Sequence, residues 1–216
     1  MRGGNLTSLL IGASVFSLFF FVTLYMQQVL GYDAMETGVM YLAFAIPAAV
    51  SSGIASGLIE KTGARPPAVG GMLLVSIGLF LFSLAPADGS YAANLLGPML
   101  ISAIGTGLAF VSVMAAATLG VREEESGLAS GLVNTGQQIG GALGLGIMAT
   151  VATTRTEDLL GSGAQVPAAL TEGFQDAFVV GSGFALLGAV IAFVALRTPR
   201  SRTAARPEAA PQPAAS

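Results

Sequence analysis

The stretch LTSLLIGASVFSLFFFVTLYMQQVL, residues 6–30, contains no Asp, Glu, Lys or Arg. An α-helix rises about 1.5 Å per residue, so about 20 apolar residues cross the roughly 30 Å hydrocarbon layer of a bilayer. The run is long enough to span a membrane. It is too long for a cleavable leader and has no processing site. Five more uncharged stretches follow, at about 38–59, 67–85, 91–119, 127–153 and 178–196. The nine basic and twelve acidic residues all fall in the connections and tails. Six such windows predict an all-α, polytopic membrane domain of six transmembrane helices over residues 1–198, with the lipid bilayer as its solvent. From Pro199 onward Pro, Ala and Arg dominate, and a disordered cytoplasmic tail is expected over 199–216.

Composition points the same way. The 216 residues are 53% hydrophobic and 10% charged, with a mean hydropathy of +0.76. A soluble domain carries about a quarter charged residues. Cysteine and histidine are both missing. That excludes disulfides, thiol nucleophiles, thiolate metal sites and the usual neutral-pH proton carrier. No metal or other cofactor is implied, and nothing basic enough to hold nucleic acid occurs.

The basic residues set an orientation. With the N-terminus inside, Arg2, Lys61, Arg65, Arg122, Arg197, Arg200, Arg202 and Arg206 share the cytoplasmic side, and only Arg155 lies opposite. Both termini are therefore expected in the cytoplasm, with the plasma membrane as the location. The connections are short except for the one after Thr153. There Val166, Leu170, Phe174 and Phe178 recur every four residues behind Pro167, which reads as an interfacial turn leading into the sixth span.

Polar residues are unevenly shared among the windows. The third and sixth offer little beyond Ser76, Ser83 and Ser182, whereas the first and fifth are rich in hydroxyls and amides. Polar and small residues belong where helices meet each other or water. Spans three and six are thus expected at the periphery, and one, four and five at the centre. A period of three spans is what a 3+3 inverted repeat produces.

The fifth window is the most specific. Gly136, Gly140 and Gly144 form a stripe at intervals of four, and Gly127 with Gly131 adds a second small pair. Such stripes serve helix packing first, because backbones approach closely where side chains are missing. A second face carries Gly131, Asn134, Gln138 and Gly141. Amides near mid-membrane are costly unless hydrogen-bonded or wet, so Asn134, Gln137 and Gln138 are read as cavity candidates. Gln27, Gln28 and Asn94 join them, supported by Phe21 and Tyr25. Glu123, Glu124 and Glu125 stand ahead of this span, where acids suit the positive end of a helix dipole. Pro47 and Pro98 should kink spans two and four.

The connection between spans two and three carries Gly57, Glu60, Lys61, Gly63 and Arg65. It reads either as a glycine turn with topology-setting charge or as a gating loop whose charges pair in one conformation and release in another. This spacing resembles the signature loop of the major facilitator superfamily, with Glu60 for the usual aspartate and Lys61 for the usual arginine.

Residues 24–32 (LYMQQVLGY), 127–144 (GLASGLVNTGQQIGGALG) and 173–181 (GFQDAFVVG) together resemble the fourteen-span drug:proton antiporters of the QacA and EmrB type. The likeness implies one half of a major facilitator fold, the C-terminal one. It also implies export of small amphipathic organic compounds by proton antiport, driven by the proton gradient, with the N-terminal half of the transporter as partner. Other classes fare worse. A rhomboid-like protease needs a histidine, and an aquaporin needs paired Asn-Pro-Ala motifs. A truncated, non-transporting membrane protein or assembly subunit stays as the alternative.

Overall fold

The computed structural model describes residues 2–118 and 125–196. Seven α-helices and two π-helical turns lie among them: α1 Arg2–Leu24, a π turn Tyr25–Val29, α2 Ala34–Met40, α3 Leu42–Thr62, α4 Arg65–Phe82, a π turn Tyr91–Leu95, α5 Leu96–Thr118, α6 Ser126–Gly161 and α7 Val166–Ala195. With α2 and α3 in line and each π turn continuing its neighbour, these elements make six helical passes. The expected tail 199–216, together with Glu123 and Glu124, lies outside the described residues.

Among the described residues, five stretches are long and apolar enough to cross a membrane: Gly4–Val29, Ala34–Thr62, Arg65–Phe82, Tyr91–Thr118 and Val166–Ala195. α6 has the length but not the hydropathy, since Asn134, Gln137, Gln138 and its glycines dilute the aliphatic residues.

Local chemistry explains several boundaries. Asp33 caps α2 with a reciprocal box, its carboxylate accepting from the Glu36 N–H at 2.8 Å while Glu36 accepts from the Asp33 N–H at 3.0 Å. Gly63 ends α3 at φ +82°, a conformation that L side chains rarely adopt, and its N–H closes on the Ile59 carbonyl at 2.8 Å. Pro98 sits just inside α5. Proline has no N–H for the carbonyl four residues back, and the π turn Tyr91–Leu95 lies at that position. Glu125 stands at the start of α6 but makes no capping hydrogen bond through its side chain.

The region after Thr153 differs from expectation. α6 continues without a break to Gly161, and α7 begins at Val166 with Gln165 as its cap and Pro167 in its first turn. The expected interfacial turn is a helical hairpin. Arg155, Glu157 and Asp158 end the hydropathy signal, yet none of them breaks a helix.

α3 lies against α5, α5 against α4, α4 against α7, and α7 against both α1 and α6, which also cross each other. Four helices touch in a ring, because α1 also meets α5, with α3 packed on α5 and α6 on α1 and α7. The expectation that spans three and six are peripheral is therefore corrected. α4 and α7 belong to that ring beside α1 and α5, and α3 is the least covered of the five apolar stretches, with 17% of its window buried against 67% for the first. Polar content misled because helices in lipid associate through small residues as well as polar ones. Ala68, Gly71, Gly78, Gly181, Ala185 and Gly188 are all buried. Gly71 and Gly105 form the α4–α5 crossing: a Cβ on Gly105 would lie 2.6 Å from the Gly71 carbonyl oxygen.

Side-chain hydrogen bonds tie the passes together at one end. The Tyr25 hydroxyl donates to the Pro86 carbonyl. Tyr91 donates to Met40 at 2.9 Å, and the Gln175 amide donates to Ala85 at 2.8 Å. An aromatic cluster lies beneath, with Phe21 edge-on to Phe174 and Phe178, and Phe82 stacked on Phe178.

Candidate functional site

The α1–α6 crossing is built from missing side chains. Gly136 faces Ser8, Gly140 faces the Leu9 backbone, and Gly144 faces Ala13. A Cβ on Gly140 would lie 2.6 Å from the Leu9 carbonyl carbon, and one on Gly144 would lie 2.5 Å from the Ala13 Cα. Gly12 reciprocates from α1, resting on the Gln137 backbone. Gly127 and Gly131 face open space.

Close approach at the backbone leaves a groove on one side of the crossing. Phe16, Phe19, Phe20, Thr23 and Leu24 of α1 form one wall, and Gly141, Ala142 and Leu145 of α6 form the other, enclosing about 550 Å³. Gly141 lets the Phe16 ring pack onto α6, its Cγ 3.0 Å from where a Cβ would stand. Phe20 and Leu24 also border a second compartment of about 440 Å³. That one continues past Gln28, Ala149, Thr153, Glu157 and Phe174. Phe20 therefore stands between the two. Asn134 and Gln138 are exposed on the same stripe of α6 as Gly141 and Leu145, at helical spacings of three and four.

The predicted cavity residues part company here. Gln28 borders the outer compartment and Gln27 is exposed beside it in the π turn. Phe21 is 1% exposed and belongs mainly to the aromatic core, touching the outer compartment from below. Tyr25 is also 1% exposed and spends its hydroxyl on Pro86. Asn94 holds a turn, its side-chain oxygen accepting the Ser90 N–H at 3.0 Å. Gln137 is 6% exposed at the α1 contact, and its side-chain nitrogen has no hydrogen-bond partner in the structure.

The loop residues lie at the opposite end of the bundle. Gly63 and Ala64 make the turn itself, with Glu60, Lys61 and Gly57 exposed. Arg65 opens α4, its guanidinium 4.1 Å from the centre of the Phe193 ring on α7. Among the described residues, ion pairs involve only Arg155, with Glu172 at 2.7 Å and Asp176 at 3.7 Å.

The groove-lining aromatics were not legible in the sequence. Phe16, Phe19 and Phe20 sit in an apolar run where a lipid-facing ring and a groove-facing ring look alike. Only their register against Gly141 distinguishes them.

Residues 4–145 match the Major Facilitator Superfamily. Among curated proteins, the chain is 37% identical over 189 residues to a cephamycin export protein of Amycolatopsis lactamdurans, covering 87% of this chain and 37% of the relative. It is 35% identical over 218 residues to a puromycin resistance protein of Streptomyces alboniger, covering 96% of this chain and 42% of that one. A lincomycin resistance protein of Streptomyces lincolnensis is 30% identical over 206 residues, with 94% and 40% covered. The chain thus spans about two fifths of the length of these relatives.

Proposed function

Since the chain belongs to the major facilitator superfamily, whose members are multi-pass membrane transporters and not enzymes, we propose that it forms one half of a drug-efflux permease. In this reading, it joins a second helical bundle and supplies one wall of a central cavity. Small amphipathic organic compounds, of the kind named for its antibiotic-exporting relatives, are its substrates. The observation that carries this reading is the α1–α6 groove. It has an aromatic wall, a volume within the drug-sized range, and amides exposed along the same face. The thin cover on α3 fits as well, because a helix so little buried in its own bundle has a face left for another.

The termini lie in the cytoplasm of a cell-membrane protein, as the basic residues argue. Proton coupling draws on groups outside the six apolar windows, which hold no ionisable carboxylate or imidazole. Alternating access needs a bundle to rock against, so the chain alone does not export. The test uses cells stripped of efflux pumps and loaded with an uncharged fluorescent amphipathic dye. Co-expression with the N-terminal half of the Streptomyces alboniger relative should restore export that collapses with the proton gradient. Export by the chain alone, or none from the pair when both are present in the membrane, overturns the reading.

A further inference from the structure

The inner compartment of the groove has a single polar side chain among the described residues that line it, Thr23. That hydroxyl belongs to a small cluster. Thr23 Oγ1 donates to the Phe19 carbonyl at 2.7 Å, the Tyr41 hydroxyl donates to the same carbonyl at 2.8 Å, and the two hydroxyl oxygens are 2.9 Å apart. Tyr41 stands between α2 and α3, and its ring also packs on Phe19 at 5.4 Å between centroids. The cluster therefore joins the second pass to the groove wall.

Counting protons gives the cluster its chemistry. Each hydroxyl has one proton and two lone pairs. If both protons go to Phe19, none is left. If Tyr41 donates to Thr23 and Thr23 to Phe19, again none is left. The same holds if Thr23 donates to Tyr41 and Tyr41 to Phe19, so with these bonds kept the pair presents oxygen lone pairs to a ligand. No charged side chain lines this compartment among the described residues, and a cation buried without a counter-charge is strongly disfavoured.

From this we infer that Thr23, held by Tyr41, is a hydrogen-bond acceptor for an uncharged N–H or O–H donor on an aromatic or otherwise flat apolar ligand seated in the groove beside Phe20 and Ala142. Aromatic amines, phenols and secondary amides fit that description. Their N-methylated or O-methylated counterparts fill the same volume without the donor. The inference rests on the groove being the substrate site, and it adds to that reading the kind of group the groove selects.

The test is a matched pair of fluorescent probes, N-phenyl-1-naphthylamine and its N-methyl derivative. Both are titrated into the full chain in phosphatidylcholine nanodiscs, with empty nanodiscs as blank. Wild type should bind the N–H probe about fivefold more tightly than the N-methyl probe, the effect of one hydrogen bond. Thr23→Val should bring the ratio close to one while leaving N-methyl affinity unchanged, which also reports that the groove is intact. Thr23→Ser, which restores the hydroxyl, should restore the ratio. Ala142→Leu should fill the groove and weaken both probes together. Equal binding of the two probes by wild type overturns the acceptor role and leaves the groove standing. So does a Thr23→Val ratio that matches wild type. Binding that is specific to the chain but unaffected by Ala142→Leu places the probes elsewhere and overturns the inference. Failure of wild type to bind either probe overturns the groove reading and the inference with it.

Discussion

Gly140→Ala is the most informative single change in this bundle. The added methyl carbon would stand 2.6 Å from the Leu9 carbonyl carbon and 2.8 Å from its Cα. Non-bonded carbons settle at about 3.5–4.0 Å, so α1 and α6 must part by about 1 Å. All the opposing atoms are backbone, and no rotamer change relieves the overlap. A gap of that size forfeits about half of each dispersion contact along the crossing, and overpacking of this kind costs about 1–3 kcal/mol. The comparison is Gly188→Ala on α7, where the new carbon meets the Met72 methyl, the far end of a flexible side chain, and otherwise Leu10 Cβ at 3.3 Å. Met72 can swing aside. Thermal unfolding in detergent, followed by circular dichroism, should show Gly140→Ala melting about 2–12 °C below wild type. Gly188→Ala should lose less than half as much. If the two variants melt together, or Gly188→Ala is the weaker protein, the argument that backbone contact governs the α1–α6 crossing is wrong.

Three further outcomes are expected. The chain has no cysteine, so single cysteines at Asp88 and Lys61, both exposed, report sidedness. In intact cells a membrane-impermeant maleimide should label the first and not the second, and the reverse pattern refutes the cytoplasmic placement of the termini. Tyr25→Phe removes the hydrogen bond to Pro86 at a buried ring and should cost about 1 kcal/mol. Amide exchange should rise in the turn 86–90, and a silent exchange profile there would count against the tie. Arg155→Ala breaks two pairs whose side chains are 45–52% exposed. Its melting temperature should stay within about 3 °C of wild type, since exposed pairs contribute about 0–1 kcal/mol, and a larger drop means the hairpin depends on that charge.

Hydropathy located the passes because lipid tolerates no charge along them, and most of each apolar window is helical among the described residues. It could not see where helices continue beyond the lipid. Arg155, Glu157 and Asp158 are good helix residues, yet they end the apolar signal, so the extended α6 was read as a loop. The Gly136, Gly140 and Gly144 stripe was visible as a periodicity. Gly71 and Gly105, which do the same work between α4 and α5, come from two helices, and with Gly78 two turns along α4 they make no run at intervals of four. Neither π turn has a dedicated signature, although Pro98 marks one in retrospect. At the site, amides and tyrosines drew notice as polar groups in an apolar setting. The structure instead gives Tyr25 and Asn94 to internal hydrogen bonds and builds the groove from phenylalanines. Residue type alone cannot tell which way a ring points.

The length of α6 gives the close contact at Gly140 a mechanical meaning. At about 1.5 Å per residue its 36 residues make a rod of about 54 Å. Gly140 divides it into arms of about 20 Å toward Ser126 and about 30 Å toward Gly161. With backbone pressed on backbone, that point resists translation and acts as a fulcrum. A rotation of about 5° there carries the Ser126 tip about 2 Å and the Gly161 tip about 3 Å in the opposite direction. Because α6 hands over to α7 four residues after Gly161, the longer excursion is passed directly into the last helix.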